Sequence, residues 1–161
     1  MYWRVPGGKG WRALQGAPAK AALTELIAGG EARGALAFAG DTPVGWVTYG
    51  PRLDFRRLER ARTLRCDDAE RVWSVPCFFI ASDYRGQGVA RRLLEHAIAA
   101  ARAAGAAALE AYPVAPAKPG GRLPAADAYT GTVAMFEAAG FTHAPGPPSA
   151  RHRMRRALTG R

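Results

Sequence analysis

The stretch from Val72 to Ala108 constrains this chain more than any other. An apolar strand, Val72 to Ile80, runs into a short polar bend, Ala81 to Tyr84, and then a glycine-bearing turn, Arg85-Gly86-Gln87-Gly88. From there Val89, Ala90, Leu93, Leu94, Ala97, Ile98 and Ala101 recur three and four apart, while Arg91, Arg92, Glu95, His96 and Arg102 take the other face, which is the pattern of an amphipathic helix. The first turn of a helix leaves backbone N–H groups unpaired, the helix dipole makes that end partly positive, and glycine lets a ligand approach the main chain. A strand feeding a helix through glycines is therefore an anion site, with phosphate its natural ligand.

Spacing separates the kinds of phosphate loop. The dinucleotide pattern G-x-G-x-x-G fails because Arg91 stands at its third glycine, and no lysine follows a glycine as a nucleotide P-loop requires. A tight turn needing glycines for geometry alone is the competing explanation, and strand, turn and helix in the right order favour a ligand site. What remains is R-x-x-G-x-A, supplied by Arg85, Gly88 and Ala90 with Gly86 inside it. This resembles the pyrophosphate-binding signature of the GNAT superfamily of N-acetyltransferases, written Q/R-x-x-G-x-G/A. The likeness extends to Tyr84 before the arginine and to the strand ending Phe78-Phe79-Ile80. The resemblance implies that Arg85, Gly86, Gln87, Gly88, Val89 and Ala90 hold the pyrophosphate of acetyl-CoA. It also implies that main-chain groups near Phe78, Phe79 and Ile80 meet the pantetheine arm.

A second stretch, Met135 to Phe141, resembles the family's x-Y-E-x-x-G-F motif, with Glu137, Gly140 and Phe141 matching. Phe136 stands where many members carry a tyrosine proposed to protonate the departing thiolate, and a phenyl ring cannot donate that proton. Tyr129, Tyr112 and water are the other candidates for the general acid. Tyr129 is preferred among them, set against the plainer role of a packed aromatic. Thr130 or Asp127 would cap this helix. The general base stays unassigned: Val72 to Ile80 contains no glutamate, and Glu70, Glu110, Asp127 and His143 are the candidates. Cys77 fits a buried structural thiol better than an acyl-carrying nucleophile.

In chain order, Tyr2 to Val5 is expected to form a first strand ended by Pro6. Trp11 to Ile27 reads as two short helices broken near Pro18, with Leu14, Ala21, Ala22, Leu26 and Ile27 facing the core. Ala35 to Ala39 and Val44 to Tyr49 form a hairpin about Gly40-Asp41-Thr42-Pro43, and Pro43 to Val47 is similar to the family's third strand. Arg52 to Arg71 is dense in charge and reads as a solvated excursion with a helical turn, an acceptor-recognition loop being the alternative. Ala107 to Val114 returns parallel to Val72 to Ile80 by a right-handed crossover. Both strands carry a proline, Pro76 and Pro113, so they are expected to part there and open a slot. Ala115 to Ala126 is a proline- and glycine-rich loop, an acceptor-side lid or a plain connection. Two last strands flank Pro145 to Ser149, and the arginine-rich Arg151 to Arg156 reads as an edge that would permit a homodimer. The expected fold is α/β: one GNAT-like domain over residues 1–161, with a central mixed sheet of about six to seven strands flanked by helices and a splayed parallel pair binding coenzyme A.

The formal charge of +10 raises a nucleic-acid partner, but the arginines are scattered and no aromatic-basic platform appears. Cys66 and Cys77 have neither C-x-x-C nor metal spacing, which points to a metal-free protein of a reduced compartment. With no signal core and no apolar run long enough to span a bilayer, a soluble, cytoplasmic protein with no membrane partner is expected. The resemblance implies an acetyltransferase that moves the acetyl group of acetyl-CoA directly to a primary amine of a small molecule or peptide. The alternative is an acetyl-CoA-binding regulatory or catalytically degenerate relative.

Overall fold

A turn at Gly40 (φ 57°) folds β1 (Arg33–Ala39) back on β2 (Thr42–Pro51) as the expected antiparallel hairpin, with a bulge between Ala37 and Phe38. The computed structural model describes residues 1–5, 12–116, 121 and 128–158. The expectations placed on Pro6, Trp11, Asp127 and most of the loop from 115 to 126 fall outside the described residues. Before the hairpin, α1 (Ala17–Ala28) takes Pro18 in its first turn, where a missing N–H costs nothing, so the break precedes the proline. The apolar residues of α1 do not form a core face: none is buried, and Ile27 is 59% exposed.

After the short helix α2 (Arg56–Arg60), β3 (Val72–Ile80) pairs antiparallel with β2. Helix α3 (Val89–Ala103) then crosses over to β4 (Ala108–Ala111), which lies parallel to β3 in the register Val72↔Ala108 to Val75↔Ala111. The chain ends through α4 (Val133–Ala138), β5 (Thr142–His143) and β6 (Met154–Ala157). The sheet order is β1-β2-β3-β4-β6-β5. This is the expected mixed sheet flanked by helices. The arginine-rich β6, however, is interior, and the edges are β1 and the two-residue β5. Helix α3 buries Leu93, Leu94, Ala97, Ile98 and Ala101 in one core with Val47, Val75 and Phe78. Each fully buried leucine there contributes about 1.5–3 kcal/mol, and this stripe fixes where the start of α3 meets the end of β3. Among the described residues no helix is long and apolar enough to cross a membrane.

Two further expectations fail. Tyr2 to Val5 is a turn rather than a strand, closed by Arg4 N–H donating to the Met1 carbonyl at 2.9 Å, with Trp3 buried. The segment from 52 to 71 is not a solvated excursion, because it builds a second core. Phe55, Leu58 and Leu64 are buried there against Trp3 and Tyr112. Arg52 is fully buried, and its Nη1 donates to Glu110 Oε2 at 3.1 Å and to the Tyr112 hydroxyl at 2.6 Å, its Nη2 to the Leu64 carbonyl at 2.6 Å. Glu110 also takes Arg153 Nη1 at 3.0 Å and Arg155 Nη1 at 3.5 Å, and Arg155 pairs with Asp68. Charges that look like surface residues in the sequence neutralise one another across the sheet.

Candidate functional site

The slot begins at a bulge. Thr48 pairs with Cys77 and Gly50 with Ser74, so Tyr49 alone opposes Val75 and Pro76. The extra residue shifts the side-chain phase of β3. Val75 and then Phe78 face α3, while Cys77 and Phe79 turn to the opposite face beside Thr48 and Trp46. Pro76 has no N–H to give, and the β3–β4 ladder ends one residue earlier, at Val75↔Ala111. Beyond that point β3 stays with β2. The continuation of β4 stays with the C-terminal segment through His152 N–H to the Pro113 carbonyl at 2.8 Å and the Val114↔Arg151 bridge. The two strands therefore diverge at the prolines, as the sequence suggested.

Main-chain groups along the open side of β3 can be assigned from their partners. Phe78 N–H donates to the Tyr129 carbonyl at 2.7 Å, and the Ile80 carbonyl accepts Arg85 Nε at 3.1 Å, whereas Ala81 N–H bonds back to Val44 on the β2 side at 2.9 Å. Even-numbered residues thus present their main chain to the slot and odd-numbered ones to β2. The amide facing the slot is that of Ile80; the Phe79 amide points to β2. Phe79 contributes its half-exposed ring instead.

At the end of the slot, Gly86 (φ 75°) and Gly88 (φ 80°) occupy the left-handed region, and a Cβ at either would meet no atom within 4 Å. Gly88 is the N-cap of α3 and gives no side-chain cap, and Arg92 N–H already bonds to the Gly88 carbonyl at 3.1 Å. The N–H groups of Val89, Ala90 and Arg91 are those a helix cannot satisfy itself. A cavity of about 530 Å³ joins these parts. Phe78, Phe79 and Ile80 line one side, Arg85, Gly86, Gly88, Val89 and Ala90 the other, with Gly131, Thr132 and Met135 between. Gln87 is the one expected position that does not line it, since its Nε2 turns back to the Asp83 carbonyl at 2.7 Å. Gly45 keeps the wall in place: a Cβ there would lie 2.9 Å from Ile80 Cδ1 and 3.0 Å from the Phe79 carbonyl oxygen. Open backbone, a positive helix end and an unpaired strand edge in one cavity fit a long ligand with a diphosphate head and an amide-bearing arm.

A second cavity, about 560 Å³, lies on the Cys77 face of the sheet and is lined by Met1, Tyr2, Trp3, Arg4, Leu23, Trp46, Thr48, Phe55, Cys77, Tyr129 and Arg151. Among the described residues only Tyr129 lines both cavities. Its carbonyl is pinned by Phe78 N–H, and its ring meets that of Tyr2 edge-on at 6.4 Å. Phe136 lines neither cavity, being fully buried against Phe78 and Phe141. Thr132 caps α4, its Oγ1 accepting Met135 N–H at 3.2 Å, in place of the expected Thr130, which is buried.

The base candidates are scattered. Glu110 is enclosed by its arginines, Glu70 is exposed ahead of β3, and His143 sits on the edge strand against His152. None of the three lines either cavity. Burial pushes the Cys77 thiol up to about 11, so it is protonated at neutral pH and unsuited to carry an acyl group. Among the described residues no three of His, Cys, Asp and Glu gather as metal ligands. Sequence reasoning missed the aromatic cavity, and its one local signal was Trp46 beside the close-packed Gly45.

A model of the acetyltransferase (GNAT) family matches residues 11–119. No curated protein matches the chain. Solved structures share the fold. An N-acetyltransferase from Staphylococcus aureus Mu50 aligns with a TM-score of 0.62 and 16% identity over 90% of this chain and 79% of that one. A ribosomal-protein-alanine N-acetyltransferase from Brucella melitensis gives 0.56 and 19% over 86% and 76%. The yncA protein of Salmonella typhimurium, solved with its cofactor acetyl-CoA, gives 0.58 and 15% over 89% and 74%. Identities this low carry the fold and no substrate. The family model spans more than half the chain, and its fold is the one the slot and glycine turn are built on: the chain belongs to the GNAT family of acetyltransferases.

Proposed function

We propose that this protein acetylates a primary amine directly from acetyl-CoA. One observation carries the proposal: among the described residues Tyr129 alone lines both the cavity that ends at the open amides of α3 and the aromatic cavity. Bound in the first cavity, acetyl-CoA supplies an acetyl thioester whose carbon the acceptor nitrogen takes, leaving the free thiol. The N–H groups of Val89 to Arg91 hold the diphosphate, aided by the partial positive charge of about half a unit at the start of α3. The Ile80 amide, directed into the slot, pairs with the pantetheine arm or donates to the acyl oxygen. Tyr129, which lines both cavities, is the residue assigned to protonate the departing sulfur. No carboxylate or imidazole lines either cavity among the described residues. The acceptor enters as the neutral amine, so kcat/KM rises with pH toward the acceptor's own pKa. Free Cys66 and Cys77 suit the reduced cytoplasm as the place of this activity.

Phe136, apolar at the motif's tyrosine position, favours a second possibility, a protein that binds acetyl-CoA without turning it over. Calorimetry with acetyl-CoA and thiol release across a panel of amines separate the two, since binding with no thiol release for any amine overturns the enzyme. Tyr129→Phe is expected to lower kcat by about 100-fold with KM for acetyl-CoA little changed, because the pinned carbonyl remains. An unchanged kcat would assign the acid to water.

A further inference from the structure

We propose that the acceptor taken by the aromatic cavity is an amine bearing an acidic group on an apolar body, an aromatic amino acid in chemical class, with Arg4 and Arg151 receiving the acid. This deepens the acetyltransferase proposal and rests on it. Two arginines line the cavity, and among the described residues no aspartate or glutamate does. The Arg4 side chain is 9% exposed, and its Nη2 is buried with no hydrogen-bond partner. Its Nη1 has the Asp54 carboxylate only at 3.6 Å and the Glu31 carbonyl at 3.5 Å. Burial dominates and lowers the guanidinium's pKa, as for a cation whose surroundings under-compensate its charge. Arg151 spends Nη1 on the Tyr112 carbonyl at 2.7 Å, and no carboxylate of the described residues lies within 4 Å of it. A guanidinium has five N–H donors in a fork that matches a carboxylate or phosphate, so both arginines keep donors for an incoming anion.

The aromatic walls alone would also suit a cationic body, but protein cations already lie against three of those rings. Arg4 lies over Phe55 at 4.8 Å, Arg151 over Trp3 at 5.2 Å and Arg57 over Tyr2 at 3.8 Å. A polyamine or aminoglycoside would meet two arginines and, among the described residues, no lining carboxylate. Trp46 and Leu23 leave apolar wall for the body of the acceptor, and Tyr129, which also lines the slot, marks the end where its amine belongs.

Matched pairs test this. L-phenylalanine against phenethylamine, and L-tryptophan against tryptamine, differ by the carboxylate alone; 1-amino-2-phenylethylphosphonic acid distinguishes a phosphate-like acid from a carboxylate. Thiol release is measured with acetyl-CoA, and binding of each compound to the whole chain is measured by calorimetry without turnover. The acids are expected to exceed their decarboxylated partners by at least about 10-fold in kcat/KM and in affinity, the size of a charge-assisted hydrogen bond. Arg151→Gln is expected to shrink that ratio at least about 10-fold, and Arg4→Gln to act in the same direction. If Arg4→Gln does not fold, the Arg151 variant decides. Equal or better binding of phenethylamine and tryptamine overturns the inference, as does an acid preference untouched by Arg151→Gln. Failure of every amine to release thiol refutes the acetyltransferase instead, and the binding order of acid against amine still decides this inference.

Discussion

Glu110→Gln probes the second core, the part of the molecule least suggested by its sequence. The Glu110 carboxylate is fully buried and accepts from Arg52 Nη1 at 3.1 Å, the Tyr112 hydroxyl at 3.1 Å, Arg153 Nη1 at 3.0 Å and Arg155 Nη1 at 3.5 Å. Glutamine keeps the shape but removes the charge and replaces one acceptor with a donor facing donors. Arg52 would then be left with Glu59, at 3.2 Å and 41% exposed, as its nearest carboxylate. Arg52, fully buried, loses one of its two carboxylates, and Arg153, 11% exposed, keeps none within 4 Å among the described residues; together these uncompensated buried charges cost about 3–5 kcal/mol, while Arg155, which keeps Asp68, adds less than about 1 kcal/mol. A loss of about 4 kcal/mol lowers the melting temperature of a chain this size by roughly 8–16 °C. Urea unfolding followed by circular dichroism measures it. Arg52→Met combined with Glu110→Gln is expected to recover part of the loss, because an apolar replacement removes the stranded charge. A loss under about 1 kcal/mol for Glu110→Gln would refute the buried network and return residues 52–71 to the surface.

Gly45→Ala forces a Cβ to 2.9 Å from Ile80 Cδ1 and 3.0 Å from the Phe79 carbonyl oxygen. Overpacking of this kind costs about 1–3 kcal/mol, and because both contacts belong to the slot wall, the affinity for coenzyme A measured by calorimetry is expected to fall with the stability. Unchanged affinity in a destabilised variant would place the ligand away from Ile80. The Arg155 guanidinium holds the Asp68 carboxyl at about 2, below its ordinary 3.8. The folded value is the depressed one, so the stabilisation is whole above 3.8 and is lost as pH falls toward 2. Asp68→Asn is accordingly expected to be less stable than the parent at pH 6, by under about 1 kcal/mol because the pair is partly exposed, and to match it near pH 2. A gap that persists at pH 2 would show a cause other than this ion pair.

The parts legible in the sequence were those with a local signature. The three-and-four spacing of Leu93, Leu94, Ala97 and Ile98 gave α3, Gly88 at φ 80° gave its start, and Pro76 with Pro113 gave the divergence of the parallel pair. What could not be read depends on contacts distant in the chain. Arg52 reads as a surface residue until Glu110 is seen against it 58 positions away, and Glu110 reads as a base candidate until its arginines are seen. The choice of the Ile80 amide over that of Phe79 follows from the phase shift opposite Tyr49, a property of two strands and not of one. The aromatic cavity draws on residues from Tyr2 to Arg151, so no window of sequence contains it.

The central claim is that open amides at the start of α3 hold a diphosphate, and calorimetry on Gly88→Leu tests it most directly. A side chain at this left-handed position costs about 1–2 kcal/mol of backbone strain, which a typical stability of about 5–15 kcal/mol absorbs, and a Cβ there meets no protein atom within 4 Å. The added bulk lies over the amides, so affinity for coenzyme A is predicted to fall at least about 10-fold, while affinity for pantetheine, which lacks the diphosphate, stays close to that of the parent. Equal affinity of parent and variant for coenzyme A would contradict the account.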